Sequence, residues 1–250
     1  MTNNNIYFVA NWKMNGNLSL IKRLKNVVIL SNNKKYKKIK IIYCPPYTLL
    51  EKFNQKLKKS KILIGAQNFH QVSDYGPFTG SISAKLLKDT GANYVILGHS
   101  ENRKIGEKNK DINLKIKSAL KNNLNVILCI GETLKEKRQK KTNKILSKQI
   151  NTCLKNIKKL NKILIAYEPI WAIGSGLIPT NKDLQNIVFF IKKKLNKNYT
   201  KQKINLLYGG SVNPKNIQIL NKITNLDGYL VGGASQKQNY FIDIIKKTIN

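Results

Sequence analysis

The chain has 250 residues, 41% of them hydrophobic, which is enough to bury the core of one large domain or of two small ones. No run approaches the roughly 20 apolar residues of a membrane-spanning helix, and residues 1–9 lack the features of a signal peptide, so we expect a cytoplasmic protein without a membrane partner. The net charge of +34 comes almost entirely from lysines spread over nearly every predicted helix, so we expect no specific nucleic-acid partner.

The cysteine and histidine content does not indicate a metal site. The three cysteines, Cys44, Cys129 and Cys153, lack CxxC spacing, and His70 and His99 are the only histidines. A zinc site of the common Cys/His kind is therefore not expected. We predict a protein without metal or cofactor.

Short apolar runs alternate with amphipathic helical stretches from the first residues onward. In the first half, in chain order, the predictions are a strand at 6–10, a helix at 20–28, a strand at 39–43, a helix at 49–57, a strand at 62–66, a short helix at 84–87, a strand at 94–97 and a helix at 112–120. Pro45 and Pro46 end the second strand, and a long polar loop follows the third strand up to Gly80.

The second half continues the alternation. The predictions there are a strand at 125–130, a Lys-rich helix up to 154, a strand at 163–167, a helix at 182–195, a strand at 204–208, a short helix from near 214, a strand at 228–231 and a helix at 241–249. Pro214 suits a first helical turn.

Most predicted strands are continuous apolar runs, which is typical of parallel strands covered by helices. Eight strand–helix units within 250 residues predict one α/β domain, residues 1–250, folded as a closed (β/α)8 barrel. The alternative is an open doubly wound sheet, which would place a GxGxxG turn after the first strand. Residues 10–13 read Ala-Asn-Trp-Lys instead.

Residues suited to acid–base chemistry follow the predicted strands, where a barrel of this kind has its active site. They are Asn11 and Lys13 after the first strand, His99 and Glu101 after the fourth, Glu132 after the fifth, Glu168 after the sixth, Gly209-Gly210-Ser211 after the seventh and Gly232-Gly233 after the eighth. The paired glycine turns can bring main-chain amides close to a phosphate, although each could be a simple tight turn. Together these residues predict cofactor-free proton transfer on an anionic substrate.

The segment after Glu168 has the composition of a stiff lid. Pro169 and Trp171 follow the carboxylate at once, and Gly174-Ser175-Gly176 precede Pro179. Such a segment could close over the site and exclude water. The alternative for Glu168 is a structural charged pair at the barrel mouth.

Seven motifs in this order and spacing resemble the triosephosphate isomerase family over essentially the whole chain. They are Asn11–Gly16, Phe78–Gly80, Ile96–Glu101, Cys129–Thr133, Ala166–Gly176, Tyr208–Val212 and Leu230–Ser235. The resemblance implies a TIM barrel and an aldose–ketose isomerase of glycolysis and gluconeogenesis. It would interconvert dihydroxyacetone phosphate and D-glyceraldehyde 3-phosphate through an enediolate, without a cofactor.

The resemblance also implies roles for the catalytic residues. Glu168 would be the base, and His99 a neutral imidazole that donates to the carbonyl oxygen. Lys13 would stabilise the developing negative charge, Asn11 would position the substrate, and Glu101 would contribute less directly.

The same resemblance implies a phosphate site and a lid. Main-chain amides of Gly174, Ser211, Gly232 and Gly233 would hold the phosphate, Cys129 would support the base, and Ile173 and Leu230 would clamp it. The implied lid consists of Pro169, Ile170, Trp171, Ala172, Ile173, Gly174, Ser175, Gly176, Leu177, Ile178 and Pro179.

The family is homodimeric, and the resemblance implies that loop 67–80 inserts into the partner with Thr79 at its tip. The segment Phe78–Gly80 would contact the partner's active site. Ser81 and Asn102 stand where the family often has a glutamate and an arginine that pair across the interface. We expect an interface without that ion pair, either weaker or repaired by polar contacts.

A further departure is Lys192, which stands where the family has an arginine paired with an aspartate that matches Asp227. Two other functions stay open at this point. One is a different phosphate-binding barrel enzyme, and the other is a basic nucleic-acid-binding protein without activity.

Overall fold

The computed structural model describes residues 5–249. Eight parallel strands pair in chain order, and the first also pairs with the last, which closes the barrel. The strands are β1 (Ile6–Asn11), β2 (Ile39–Cys44), β3 (Leu63–Ala66), β4 (Tyr94–Leu97), β5 (Asn125–Ile130), β6 (Ile163–Tyr167), β7 (Asn205–Tyr208) and β8 (Gly228–Val231). The predicted (β/α)8 barrel is confirmed, and the open sheet is excluded.

Helices surround this barrel. They are α1 (Leu18–Lys22), α2 (Lys25–Asn32), α3 (Leu50–Leu57), α4 (Ala84–Asp89), α5 (Ser100–Lys104), α6 (Asn109–Lys121), α7 (Leu134–Arg138), α8 (Thr142–Cys153), α9 (Asn181–Asn198), α10 (Ile217–Leu220) and α11 (Gln238–Ile249). Within residues 5–249, none of them is long and apolar enough to cross a membrane.

Two differences from the predicted helices have local causes. The Lys-rich helix before residue 154 is two helices, because Lys140 adopts a left-handed φ of 57° between α7 and α8. The helix expected from near Pro214 begins at Ile217. There the Asn213 side chain accepts from the amides of Lys215 and Asn216, at 2.9 and 3.2 Å, and holds a turn ahead of α10.

The apolar strands bury both of their faces, which explains why they do not alternate. One set of side chains packs between strands and helices, as Phe8 and Tyr43 do. A second set fills the barrel interior and includes Val9, Ile96 and Leu207. The interior is therefore a packed core, and space for a ligand is found at the barrel mouth.

Candidate active site

A pocket of about 220 Å³ opens at the carboxyl end of the strands. Its lining comes from the ends of five strands and from the lid: Asn11, Lys13, His99, Glu168, Ile173, Gly174, Gly209, Gly210, Ser211, Val212, Asn213, Leu230, Gly232, Gly233 and Ala234. Every predicted catalytic and phosphate-binding residue except Glu101 lines this one pocket.

Glu168 directly follows β6 and is 3% exposed. Burial raises its pKa above the ordinary value of 4.5. Its Oε1 lies 3.3 Å from Nε2 of His99. A carboxylate with a raised pKa, buried but facing a pocket, is suited to accept and return a proton.

Two glycines make room for Glu168. A Cβ at Gly209 would lie 2.8 Å from Cγ of Glu168, and one at Gly131 would lie 1.8 Å from the Glu168 carbonyl oxygen. The glycine turn that begins at Gly209 therefore makes space for the carboxylate. The sequence pattern alone did not distinguish this role from phosphate binding.

His99 is the N-cap residue of α5, and its Nδ1 accepts from the Glu101 amide at 3.2 Å. An accepting Nδ1 leaves the ring proton on Nε2 in the neutral imidazole. That nitrogen faces Glu168 and the pocket, so His99 can donate to a substrate oxygen.

Lys13 has a left-handed backbone, with φ of 52°, which is uncommon for a residue other than glycine. Neighbouring side chains hold this conformation. The Lys13 amide donates to Oδ1 of Asn11 at 3.1 Å, and its carbonyl accepts from Nε2 of Gln67 at 2.8 Å. Gln67 was anticipated only as the first residue of a loop.

The ammonium of Lys13 is held beside the pocket by Glu101. Nζ of Lys13 lies 2.6 Å from Oε1 of Glu101, whose side chain is 58% exposed. Glu101 therefore contacts the cation from outside the pocket.

The glycines after β8 leave space for an anion. A Cβ at Gly232 would meet Cε of Lys13 at 3.8 Å, and one at Gly233 would meet nothing within 4 Å. Main-chain amides at these positions can approach a ligand that also reaches Lys13. Within residues 5–249, no group of three or more His, Cys, Asp or Glu side chains is arranged to hold a metal ion.

The segment predicted to be a lid contains a short 3-10 turn, Ile170–Ala172, near its start, and this turn is tied to Glu132. Glu132 is fully buried and accepts from Tyr167 Oη at 3.2 Å and from Trp171 Nε1 at 3.0 Å. Its carbonyl also accepts from the Ile170 amide at 3.0 Å. Sequence reasoning located Glu132 at a strand end but gave it no role.

The free end of the lid is more open. Gly174 and Gly176 have positive φ angles of 69° and 78°, and Leu177 is 60% exposed. Ile173 and Leu230 line the pocket from opposite sides. A fixed start and an exposed, glycine-containing tip are features of a segment that moves as a unit.

Arg103, like Glu132, has a structural role that the sequence did not predict. Its Nε donates to the Gly98 carbonyl at 2.6 Å, and its Nη2 donates to the Cys129 carbonyl at 3.1 Å. These bonds tie the residue before His99 to the end of β5. Cys129 itself is fully buried in the barrel interior.

The segment Phe78–Gly80 lies outside the pocket in the single chain. Phe78 is 43% exposed and stacks on His70, with ring centroids 4.4 Å apart. Lys192, by contrast, forms the expected ion pair, with Nζ 2.7 Å from Oδ2 of Asp227.

A closed parallel barrel, with a buried carboxylate, an imidazole, a lysine and exposed glycine amides around one pocket, defines a barrel enzyme of acid–base chemistry on an anion. The family model described as triosephosphate isomerase matches residues 6–248. The triosephosphate isomerase of Endomicrobium trichonymphae is 40% identical over 246 residues, which cover 95% of this chain and 96% of that protein. The Yarrowia lipolytica enzyme of the same name is 42% identical, with 97% and 98% covered.

A crystal structure of triosephosphate isomerase from Bartonella henselae superposes with a TM-score of 0.89 at 35% sequence identity, and the match covers 98% of this chain and 99% of that one. The chain belongs to the triosephosphate isomerase family. It is an isomerase that interconverts dihydroxyacetone phosphate and D-glyceraldehyde 3-phosphate.

Proposed function

We propose that Glu168 is the single base of this isomerisation. The carboxylate takes a proton from one carbon of the triose phosphate and returns it to the neighbouring carbon, with an enediolate between the two steps. The observation that carries the proposal is the meeting of Glu168 and His99, 3.3 Å apart, in one pocket with Lys13 and the glycines after β8.

His99 and Lys13 would stabilise the charge that develops on the substrate oxygens. The Nε2 proton of His99 is available because Nδ1 already accepts from the main chain. Lys13 adds a positive charge held by Glu101, and Asn11 fixes the Lys13 backbone. Donors held in place before the reaction lower its barrier, because little reorganisation is needed when the charge appears.

Phosphate would be held by main-chain amides of Ser211, Gly232 and Gly233, joined by Gly174 when the lid closes. All four residues line the pocket. Closure would bring Ile173 against Glu168 and exclude water, which disfavours the charged carboxylate and increases its basicity.

We propose further that residues 1–250 form one domain and work as a homodimer in the cytoplasm. Exposed apolar side chains at Met14, Phe78 and Ile105, of which Met14 is 95% exposed, support a partner surface on this chain. The partner's loop 67–80, with Thr79 at its tip, would then cover Lys13 and His99.

The substitution Glu168→Asp tests the proposal. Withdrawing the carboxylate by one methylene should lower kcat on the order of 100-fold or more, because proton transfer depends on sub-ångström positioning. Inhibition by inorganic phosphate should stay within about twofold, since the amides are untouched. Glu51→Asp is the matched control, because Glu51 is exposed on α3.

An unchanged kcat in Glu168→Asp would remove Glu168 from the base role. If phosphate inhibition is lost together with kcat, the pocket itself is disturbed. The proposal then survives only if circular dichroism shows that the variant has an altered fold.

A further inference from the structure

Positive charge is concentrated at the end of the barrel opposite the pocket. The connections that lead from a helix into the next strand all lie at that end, because the strands are parallel. Within the described residues they hold fourteen lysines and one acid, Asp227, which pairs with Lys192. Segment 33–38 holds four lysines, 58–62 three, 154–162 four, 199–204 two and 221–227 one.

The connections at the pocket end carry much less positive charge. The connections that lead from a strand into the next helix hold three basic residues, Lys13, Lys215 and Lys237. They also hold three acids, Asp74, Glu132 and Glu168. Other basic residues of the pocket end lie around α7, where Lys137 stacks on Trp171 with Nζ 3.8 Å from the ring centroid. Among the connections, the lysine excess therefore lies at the end opposite the pocket.

The lysines of this face form two groups, which we call the basic arcs. The first arc is 33–38 and 58–62, before β2 and β3, and the second is 154–162 and 199–204, before β6 and β7. In a closed ring of eight strands these positions are diametrically opposite. The connections before β4 and β5 hold no lysine, although the helices leading to them end in Lys88-Asp89 and Lys121. The charge thus runs as a stripe across the face.

The lysines of the arcs are accessible, and the large apolar side chains in the same segments are not exposed. Eleven of the thirteen are exposed, while Lys38 and Lys162 are half-buried. No large hydrophobic residue of either arc is exposed in the described structure. A surface without an apolar anchor gains nothing from insertion into lipid, so charge alone must attract its ligand.

We propose that the basic arcs are a docking surface for double-stranded nucleic acid, bound through its phosphates without sequence preference. A DNA duplex is a linear polyanion with one charge per roughly 1.7 Å of axis, so a duplex that crosses the face meets both arcs. Lysine contacts phosphate as a point charge and carries no information about base sequence. The pocket lies at the other end and stays open when the duplex is bound.

Fluorescence anisotropy with a labelled 30-base-pair DNA duplex of mixed sequence tests this proposal. The arc variant combines Lys58→Gln, Lys59→Gln, Lys155→Gln and Lys158→Gln. The matched control neutralises four exposed lysines on helix surfaces, Lys52, Lys110, Lys144 and Lys148. Vesicles of phosphatidylserine are the competing ligand, and isomerase activity reports that each variant is folded.

Affinity for the duplex at about 50 mM salt should fall at least tenfold in the arc variant and less than threefold in the control. The slope of log K against log salt should become shallower by about 3 to 4 in the arc variant, at roughly 0.9 for each lost phosphate contact. Equal losses in both variants would overturn the proposal, as would absence of duplex binding by the unmodified protein. Tighter binding to vesicles than to duplex would assign the face to membranes instead.

Discussion

The carboxylate of Glu168 is buried beside an imidazole, and its charged form is disfavoured there. In the unfolded chain the same group is hydrated and titrates near 4.5. Ionisation of Glu168 in the folded protein therefore costs stability above its raised folded-state pKa. Below pH 4.5 the group is neutral in both states and the cost vanishes.

Glu168→Gln should consequently be more stable than the unmodified protein at neutral and alkaline pH. The difference in unfolding midpoint should shrink as pH falls through the raised pKa and disappear below about 4.5. Thermal unfolding from pH 4 to 8 measures this, and the acid limb of kcat/KM should lie above 4.5 in the same buffers. A stability difference that grows toward low pH would contradict the assignment of a raised pKa to Glu168.

Among the site residues, the sequence predicted those that follow strands. It did not predict those whose side chains bond the main chain of another site residue. Asn11, Lys13, His99 and Glu168 were predictable, because in a parallel barrel the position after a strand fixes a place at one rim. Gln67 was not, because its bond to the Lys13 carbonyl joins residues 54 positions apart and leaves no pattern in the sequence.

The lid depends on an anchor that belongs to another element. Glu132, at the end of β5, bonds Tyr167 at the end of β6 and Trp171 in the first turn of the lid. Three elements are thereby joined at one buried carboxylate, whose pKa is raised by burial. The glycine-containing tip is free of such bonds to Glu132, so motion of the lid should pivot near Trp171.

Glu132→Gln should lower kcat/KM about tenfold. The side-chain amide of glutamine has one accepting oxygen, so its NH₂ group would face the donor group of Tyr167 or of Trp171. A lost charge-assisted hydrogen bond is worth about 1.5 to 3 kcal/mol. Steady-state kinetics and Trp171 emission, which should shift to the red, measure the effect. Glu51→Gln, on an exposed helix, is the control. If both kinetics and emission stay as they are in the unmodified protein, Glu132 does not position the lid.

Helix boundaries were less predictable than strands. The strands β4, β5, β6 and β8 have the predicted bounds, since short buried apolar runs end where polar residues begin. The break at Lys140 was not visible, because a lysine in the left-handed region has no distinctive sequence signal. The α5 helix after His99 was missed for a related reason: at five residues, it is too short to show an apolar period.

For the whole molecule, the proposed dimer rests on the family and on the exposed apolar side chains of Met14, Phe78 and Ile105. Loop 67–80 would have to supply part of that interface. Ser81 and Asn102 remove a pair of charges that the family commonly places there. Since both partners of that pair are replaced, no buried charge is left alone, and the interface loses one interaction.

A sedimentation dilution series should therefore show dissociation at higher concentrations than for a relative with the glutamate and arginine in place. The double substitution Ser81→Glu with Asn102→Arg should shift the midpoint to lower concentration, about tenfold for a net gain near 1.4 kcal/mol. Each single substitution is the matched control and should not tighten the dimer. A tight dimer at nanomolar concentration in the unmodified protein would contradict the weaker interface.

In the proposed mechanism, the carboxylate of Glu168 carries a proton between neighbouring carbons of the substrate and exchanges that proton with solvent. Isomerisation of dihydroxyacetone phosphate in D₂O, followed by NMR of the glyceraldehyde 3-phosphate formed, tests it most directly. Deuterium should appear at the carbon that receives the proton. Product formed wholly without deuterium would show that the transferred hydrogen never exchanges with solvent, and would contradict proton transport on an exchanging carboxylate.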